Sequence, residues 1–194
     1  MKFEIFKFSS VDSTNDVAIN LIEKKNKEFG CVYAESQTKG RGTHGKIWVS
    51  NKGNLFISIF FHLKREHPPF NEFSVINPII VSEVMKRFCK DKTISLKFPN
   101  DVFLNRKKIC GILQETITFN KKNFLIIGIG MNVVSSPKIN DLYEATNILF
   151  ETKKSINIKK IIKAIVISYE KFFKNLNSYK YENYKNKAEL MSLK

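Results

Sequence analysis

The stretch Glu35–Trp48, reading ESQTKGRGTHGKIW, places Gly40, Gly42 and Gly45 among Arg41, His44 and Lys46, directly after the apolar run Cys31 to Ala34. Glycine opens backbone conformations that other residues resist and lets N–H groups approach a ligand closely. Cations in such a loop suit phosphate or carboxylate oxygens. A plain basic surface loop would have the same composition, so the stretch is weighed with three others. Ser13-Thr14-Asn15, Lys97-Phe98-Pro99-Asn100-Asp101 with Lys108, and Gly128-Ile129-Gly130-Met131-Asn132 also interrupt apolar runs. Functional residues commonly occupy loops carried on a rigid sheet.

Asn100 could present paired donors and acceptors to a base edge, and Asp101 could hold a cation or orient a lysine; Asn-Asp after proline is also ordinary turn chemistry. Lys108 opens the apolar run Lys-Ile-Cys-Gly-Ile-Leu, where its ammonium could neutralise a carboxylate or phosphate. Glycines inside an apolar strand, as at 128 and 130, mark either a bulge or a close backbone approach. No Ser-His-acid set, catalytic cysteine pair or glycosidase-like carboxylate pair is present. The polar groups instead suit reactions between anions, in which holding reactants together and neutralising charge supplies most of the rate. That chemistry is nucleotidyl or acyl transfer. The glycine loop matches neither the GxxxxGK[ST] phosphate loop nor a dinucleotide GxGxxG followed by a helix.

With 194 residues, 43% hydrophobic and 26% charged, the chain can bury one substantial core. Its formal net charge of +15 is compatible with nucleic acid, an acidic protein partner or an anionic substrate. Much of that excess is lysine scattered beside asparagine, which also describes a solvated surface. Three cysteines without paired spacing argue against a disulfide framework and for a reducing, cytoplasmic setting. The N-terminus lacks a signal peptide's apolar run, and apolar stretches of about ten residues are too short to span a bilayer.

The elements that must position these groups are legible from periodicity. Phe3 to Phe8 reads as a short strand or extended arm. Ser13 is expected to cap a helix, with Asp16 completing a short capping box and Gly30 stopping it. Cys31 to Glu35 is a buried strand. Leu55 to His62 is apolar on both faces, which suits a central strand covered on two sides. Phe73 to Phe88 has helical spacing, with Pro78 predicting a kink or a later start. Strands follow at Ser95 to Lys97, Val102 to Leu104, Ile109 to Thr118 and Phe124 to Gly130, with a hairpin turn at Asn120 to Asn123. Ser135 to Asn147 reads as irregular, with a helical turn at 141–143. Ile158 to Leu176 is an amphipathic helix and Tyr181 to Met191 a final one. The class is mixed α+β. No helix-turn-helix precedes the first loop, which weakens a DNA-reading hypothesis.

Taken in order, these motifs resemble the biotin–protein ligases, over about residues 8 to 190. The resemblance rests on Asp12-Ser13-Thr14-Asn15, on Gln37 with Gly40-Arg41-Gly42 through Trp48, on Lys97 to Asp101, on Lys108 to Glu115, and on Gly128 to Asn132. It implies a mixed, mainly antiparallel β-sheet flanked by helices, similar to class II aminoacyl-tRNA synthetases. The implied reaction joins ATP and biotin into biotinyl-5′-AMP, then transfers biotin to a lysine of the biotin carboxyl carrier domain of acetyl-CoA carboxylase. By the same resemblance Lys108, Arg41 and Asp101 are the catalytic residues. Ser13, Thr14, Asn15 and Gln37 would line the biotin site, and Gly40 and Gly42 the closing loop. Asn100 would contact adenine, and Gly111, Leu113, Gly128 and Gly130 would form close walls. Trp48, Met131 and Asn132 would lie on the nucleotide side, with Mg2+ held mainly through the ATP phosphates.

The chain departs from the family pattern in places. The family's loop commonly continues Gly-Arg-Gly-Arg, where this chain has Thr43 and His44, and the usual tryptophan before proline is Phe98. The resemblance further implies a single catalytic domain over 1–194, without an N-terminal DNA-binding domain or the family's small C-terminal β-barrel-like domain, as a monomer or weak homodimer. A lipoate–protein ligase, a catalytically weak biotin- or carrier-binding module, and a basic nucleic-acid-binding protein are the alternatives.

Overall fold

A computed structural model describes residues 1–137 and 144–193; the helical turn expected at 141–143 lies outside them. The order of elements is β1 (Ile5–Phe8), α1 (Thr14–Lys25), β2 (Phe29–Ala34), β3 (Leu55–His62), α2 (Phe73–Phe88), β4 (Ile94–Lys97), β5 (Asp101–Leu104), β6 (Lys107–Phe119), β7 (Lys122–Met131), α3 (Ile148–Thr152), α4 (Ile158–Lys174) and α5 (Tyr181–Met191). The strands form one seven-stranded sheet in the order β1-β2-β3-β7-β6-β5-β4. Only the β1–β2 pair is parallel; the other pairs are antiparallel. This is the mixed, mainly antiparallel sheet that the resemblance implies, within the mixed α+β class read from the pattern.

β3 is buried along both faces, as its unbroken apolar run requires. One face packs against α2, α4 and α5 in a core that includes Ile57, Ile59, Ile127 and Ile129 of the sheet with Ile76, Ile165, Tyr169 and Ala188 of the helices. On the other face α1 lays Ala18 and Ile22 over Val32, Phe60 and Ile126. α1 covers only part of that face, and the uncovered part forms the floor of the site described below.

Inside the helical layer, buried Tyr169 donates from its hydroxyl to Asn77 Oδ1 at 2.9 Å, and Asn77 Nδ2 donates to Gln114 Oε1 at 2.5 Å. The chain of bonds ties α4 to α2 and α2 to β6. The three cysteines are buried and unpaired. Burial pushes the Cys31 thiol up to about 12 and Cys89 up to about 11, so neither offers a thiolate near neutral pH.

Several boundaries differ from expectation. α1 ends at Lys25, not at Gly30, because Asn26 takes the left-handed conformation (φ 51°) and returns its N–H to Leu21 O. Gly30 instead lies within β2 opposite Phe60, where a Cβ would stand 2.7 Å from that ring. Ser13 is extended at the helix start, but its side chain makes no capping bond. α2 runs through Pro78 from Phe73, so the later start is excluded. No helix among the described residues is long and apolar enough to cross a membrane.

The β6–β7 hairpin closes on two residues, Asn120 (φ 48°) and Lys121 (φ 60°), both left-handed. Such two-residue turns favour glycine at the second position, because a Cβ there is crowded. Lys121→Gly should therefore raise stability by about 0.5–1 kcal/mol, a left-handed strain relieved less the added chain entropy. A thermal unfolding midpoint at or below that of the parent chain would contradict this account of the turn.

Candidate active site

Alternation along paired strands sorts the floor residues into two faces. In one cross-sheet row β3, β7, β6 and β5 supply Phe56, Gly130, Gly111 and Asp101 in register; the next row is Ser58, Gly128 and Leu113. The two rows explain the glycines by what lies on them. A Cβ on Gly111 would come within 2.7 Å of the Trp48 ring, and one on Gly130 within 2.4 Å. At Gly128 it would meet Asn15 Oδ1 at 2.6 Å. The floor is thus notched for an indole and for an amide.

Lys108 and Gly111 are three residues apart and would face opposite sides of a regular strand. They share a side because the β5–β6 register shifts: Val102 pairs with Cys110 but Phe103 with Lys108, leaving Ile109 as an extra residue. Bulges of this kind re-aim a side chain. The backbone of Lys108 is clamped as well, its N–H donating to Glu144 O at 2.8 Å and its carbonyl accepting from Thr146 N at 2.9 Å. Its ammonium stands 2.8 Å from Asp101 Oδ1 and 5.8 Å from the centre of the Trp48 ring. Asp101 Oδ1 is buried and makes no aligned hydrogen bond, so the approach of Lys108 is a close ion pair in poor hydrogen-bond alignment.

The far end of the cleft is polar. Gln37 Oε1 accepts from the Thr14 N–H at 2.8 Å and from Thr14 Oγ1 at 3.1 Å, while Gln37 Nε2 donates to Ser50 Oγ at 3.0 Å. Gln37 therefore caps α1 from outside the helix, the role expected of Ser13. Ser58 Oγ lies 2.8 Å from Thr14 Oγ1, and Asn15 Nδ2 donates to Glu115 Oε2 at 2.6 Å. Ser13, Thr14, Asn15 and Ser58 are all buried.

Glu115 also takes two bonds from Arg41 Nη2, at 2.9 and 2.7 Å, and Arg41 Nη1 pairs with Asp16 on α1. Partial burial opposes the guanidinium's charge, but the bonds it donates to Asp16 and Glu115 outweigh it and raise its pKa. The loop itself is a small hairpin: Trp48 N bonds to Gly40 O at 2.9 Å and Gly42 N to Lys46 O at 2.7 Å. Its tip turns through His44 (φ 56°) and Gly45 (φ 73°).

The cleft is lined by Ser13, Thr14, Asn15, Gln37, Arg41 and Gly42 at one end, and by Asn100, Asp101 and Lys108 at the other, with Trp48, Gly111, Leu113, Gly128 and Gly130 between. Asn132 reaches its wall, although its side-chain amide donates to Thr146 O at 3.0 Å. Asn100 Nδ2 lies 3.4 Å from Thr43 Oγ1, touching the loop tip. Two expected residues do not line the cleft. Met131 is fully buried in the opposite core, because it alternates with Gly130 along β7. Gly40 sits behind the wall, where a Cβ would be 2.5 Å from Trp48 O.

Sequence reasoning missed Phe56, Pro137 and Ala145 in the lining, and Ser58 behind it, bonded to Thr14 and Asn15. Ser58 carried a signal: a hydroxyl within the run Leu55–Phe61 needs a buried partner. Glu115 was read only as the end of a motif. Pro137 and Ala145 carried none, since their place beside the cleft is set by tertiary contacts.

A model of the biotin/lipoate A/B protein ligase family matches residues 7–132. The chain belongs to that family. The bifunctional ligase/repressor BirA of Escherichia coli is 34% identical over 125 residues, covering 63% of this chain and 38% of that protein. Biotin–protein ligase 2 of Arabidopsis thaliana is 29% identical over 170 residues, covering 84% and 50%. The chain thus spans about half or less of these curated relatives. Among solved structures, the Aquifex aeolicus biotin protein ligase in complex with biotin and ATP superposes with a TM-score of 0.81 at 29% identity, covering 98% of this chain and 78% of that one. The Leishmania major enzyme in complex with biotinyl-5-AMP gives 0.84 at 28% identity, covering 98% and 81%. In this family member the ligase fold and a cleft holding most of the expected motif residues occur together.

The notch beneath Trp48 gives a direct check. Gly130→Ala should displace the indole and move the emission of this single tryptophan to longer wavelength as it meets water. An unchanged spectrum in a folded variant would mean that Trp48 does not rest on Gly130.

Proposed function

We propose that residues 1–194 act as one catalytic unit that makes biotinyl-5′-AMP from biotin and ATP and passes the biotin to a lysine of a biotin carboxyl carrier domain, that of acetyl-CoA carboxylase. The observation that carries this reading is the placement of the Lys108 ammonium, 2.8 Å from Asp101 and facing Trp48, in a cleft whose other end offers the uncharged hydrogen-bonding groups of Thr14 and Gln37 beside the Arg41–Glu115 ion pair. A ligand with a neutral hydrogen-bonding head and an acid tail matches such a division. Biotin, with a ureido ring and a carboxylate, is one. The structural relatives that bind biotin, ATP or biotinyl-5-AMP lend it further support.

In the first step a carboxylate oxygen of biotin forms a bond to the α-phosphorus of ATP, and the bond to pyrophosphate breaks. Both reactants are anions, so their approach is opposed by like charge. Lys108 would offset that repulsion and stabilise charge on the oxygens around phosphorus, from a position fixed before the substrates arrive. Asp101 holds the ammonium there. Asn100, at the turn before Asp101, would meet the adenine edge. Magnesium, entering with ATP, would be held mainly by phosphate oxygens, since Asp101 and Glu115, two carboxylates at the cleft, are already engaged by Lys108 and Arg41.

In the second step the neutral amine of a carrier lysine adds to the carbonyl of the mixed anhydride, and AMP leaves with the bonding pair. With Lys108 drawn to the adenylate phosphate, Asp101 would be free to orient the incoming amine. The net charge of +15 would favour approach of an acidic carrier at low salt.

Lys108→Ala should leave a folded protein whose adenylate formation, followed by pyrophosphate release, falls at least ~10²-fold, the scale of losing one preorganised contact. Turnover near that of the parent would remove Lys108 from the role. A mixture of protein, biotin, MgATP and apo carrier domain should give a biotin adduct on one carrier lysine by mass spectrometry. No adduct, or an adduct formed equally without ATP, would overturn the ligase reading, and transfer of lipoate in preference to biotin would reassign the substrate.

A further inference from the structure

Arg41 is the one arginine in the glycine loop, and the sequence alone makes it a natural partner for phosphate. Its side chain is otherwise employed. Nη2 is bonded to both oxygens of Glu115 on β6, at 2.9 and 2.7 Å, while Nη1 pairs with Asp16 on α1. One guanidinium holds two carboxylates, while Lys39 stands within electrostatic reach of Asp16 and Lys46 lines the cleft beside Gly42. Glu115 is itself fixed by Asn15 Nδ2 at 2.6 Å, and Asn15 fits because Gly128 has no Cβ. The base of the loop is tied separately, by Lys39 to Asp12 Oδ2 at 2.9 Å and by the bond from Lys39 N to Asp12 O at 2.8 Å.

We propose that Arg41 is a positioning residue, with Asp16 and Glu115 its partners: the guanidinium latches the hairpin 40–48 onto α1 and β6, and does not serve as a phosphate ligand. The latch sets the Gly40–Gly42 backbone and the Trp48 ring over the sheet.

The decisive measurement needs no substrate. Trp48 is the single tryptophan and lies in the latched hairpin, so acrylamide quenching of its fluorescence reads the loop directly. Arg41→Ala, Glu115→Gln and Asp16→Asn are compared with the parent, together with the Arg41→Ala/Glu115→Gln double variant. Each of the first two should raise the quenching constant about twofold, and the double variant should add little to either, because both remove one interaction. Asp16→Asn, which leaves Asn15 untouched, should give a smaller rise in the same direction. Arg41→Lys, which restores charge without the two-pronged geometry, should recover only part of the protection. Unchanged quenching in folded Arg41→Ala, or strictly additive effects, would overturn the latch.

A second arm rests on the ligase reading. If Arg41 positions the loop, Arg41→Ala and Glu115→Gln should both raise KM for biotin about tenfold with kcat for pyrophosphate release changed less than about threefold. If Arg41 instead touches phosphate, Arg41→Ala should lower kcat far more than Glu115→Gln does, which overturns the proposal. Should the parent chain form no adenylate at all, the ligase reading fails, and the quenching comparison still decides the latch.

Discussion

Lys108 and Gly111 share one side of β6 only because Ile109 is accommodated as an extra residue against β5. Without that bulge the ammonium would point into the helical layer, among Cys110, Leu96 and Val102, where an unpaired charge is strongly disfavoured. With it, the ammonium meets Asp101 across the strand pair and the Trp48 face above. The backbone bonds of Lys108 to residues 144 and 146 hold the bulged strand from its other edge. The geometry of the cleft follows from this placement: the indole lies over two glycines on one side of Lys108, and Asn100 and Asp101 lie on the other.

The division of charge along the cleft matters more than the total. A formal +15 would suggest a uniformly attractive surface for anions. Locally the cleft is partitioned. Arg41 is matched by Asp16 and Glu115, and Lys108 by Asp101, so neither cation is simply a reserve of positive charge. A carboxylate partner holds each cation in a fixed place, which spares reorganisation when charge develops.

Much of this architecture was legible from residue pattern, and the exceptions are informative. β3 stood out as an unbroken apolar run, and α4 because its apolar spacing keeps one helical period throughout. Gly30 was misread as a helix stop because glycine marks several different events; here Asn26 supplied the left-handed turn and Gly30 made room for Phe60. Met131 was misplaced for a different reason. A contiguous motif read from sequence groups neighbours, but neighbours on a strand face opposite ways, so Gly128 and Gly130 front the cleft while Met131 enters the core. The capping of α1 by Gln37 and the bulge at Ile109 were not legible, since both are set by tertiary pairing. The partners of Arg41 were equally invisible, being 25 and 74 positions away along the chain.

The bonded trio Tyr169, Asn77 and Gln114 joins the helical layer to β6 at the position directly between Leu113 and Glu115. Sliding β6 by two residues would keep its apolar alternation intact, so hydrophobic contact alone discriminates weakly against such a slip. It would, however, carry Gln114 out of reach and strand the Asn77 amide N–H in a dry interior. An inward-facing amide on the side of the sheet away from any substrate thus acts as an alignment key, and it fixes how far along the strand the lysine comes to rest.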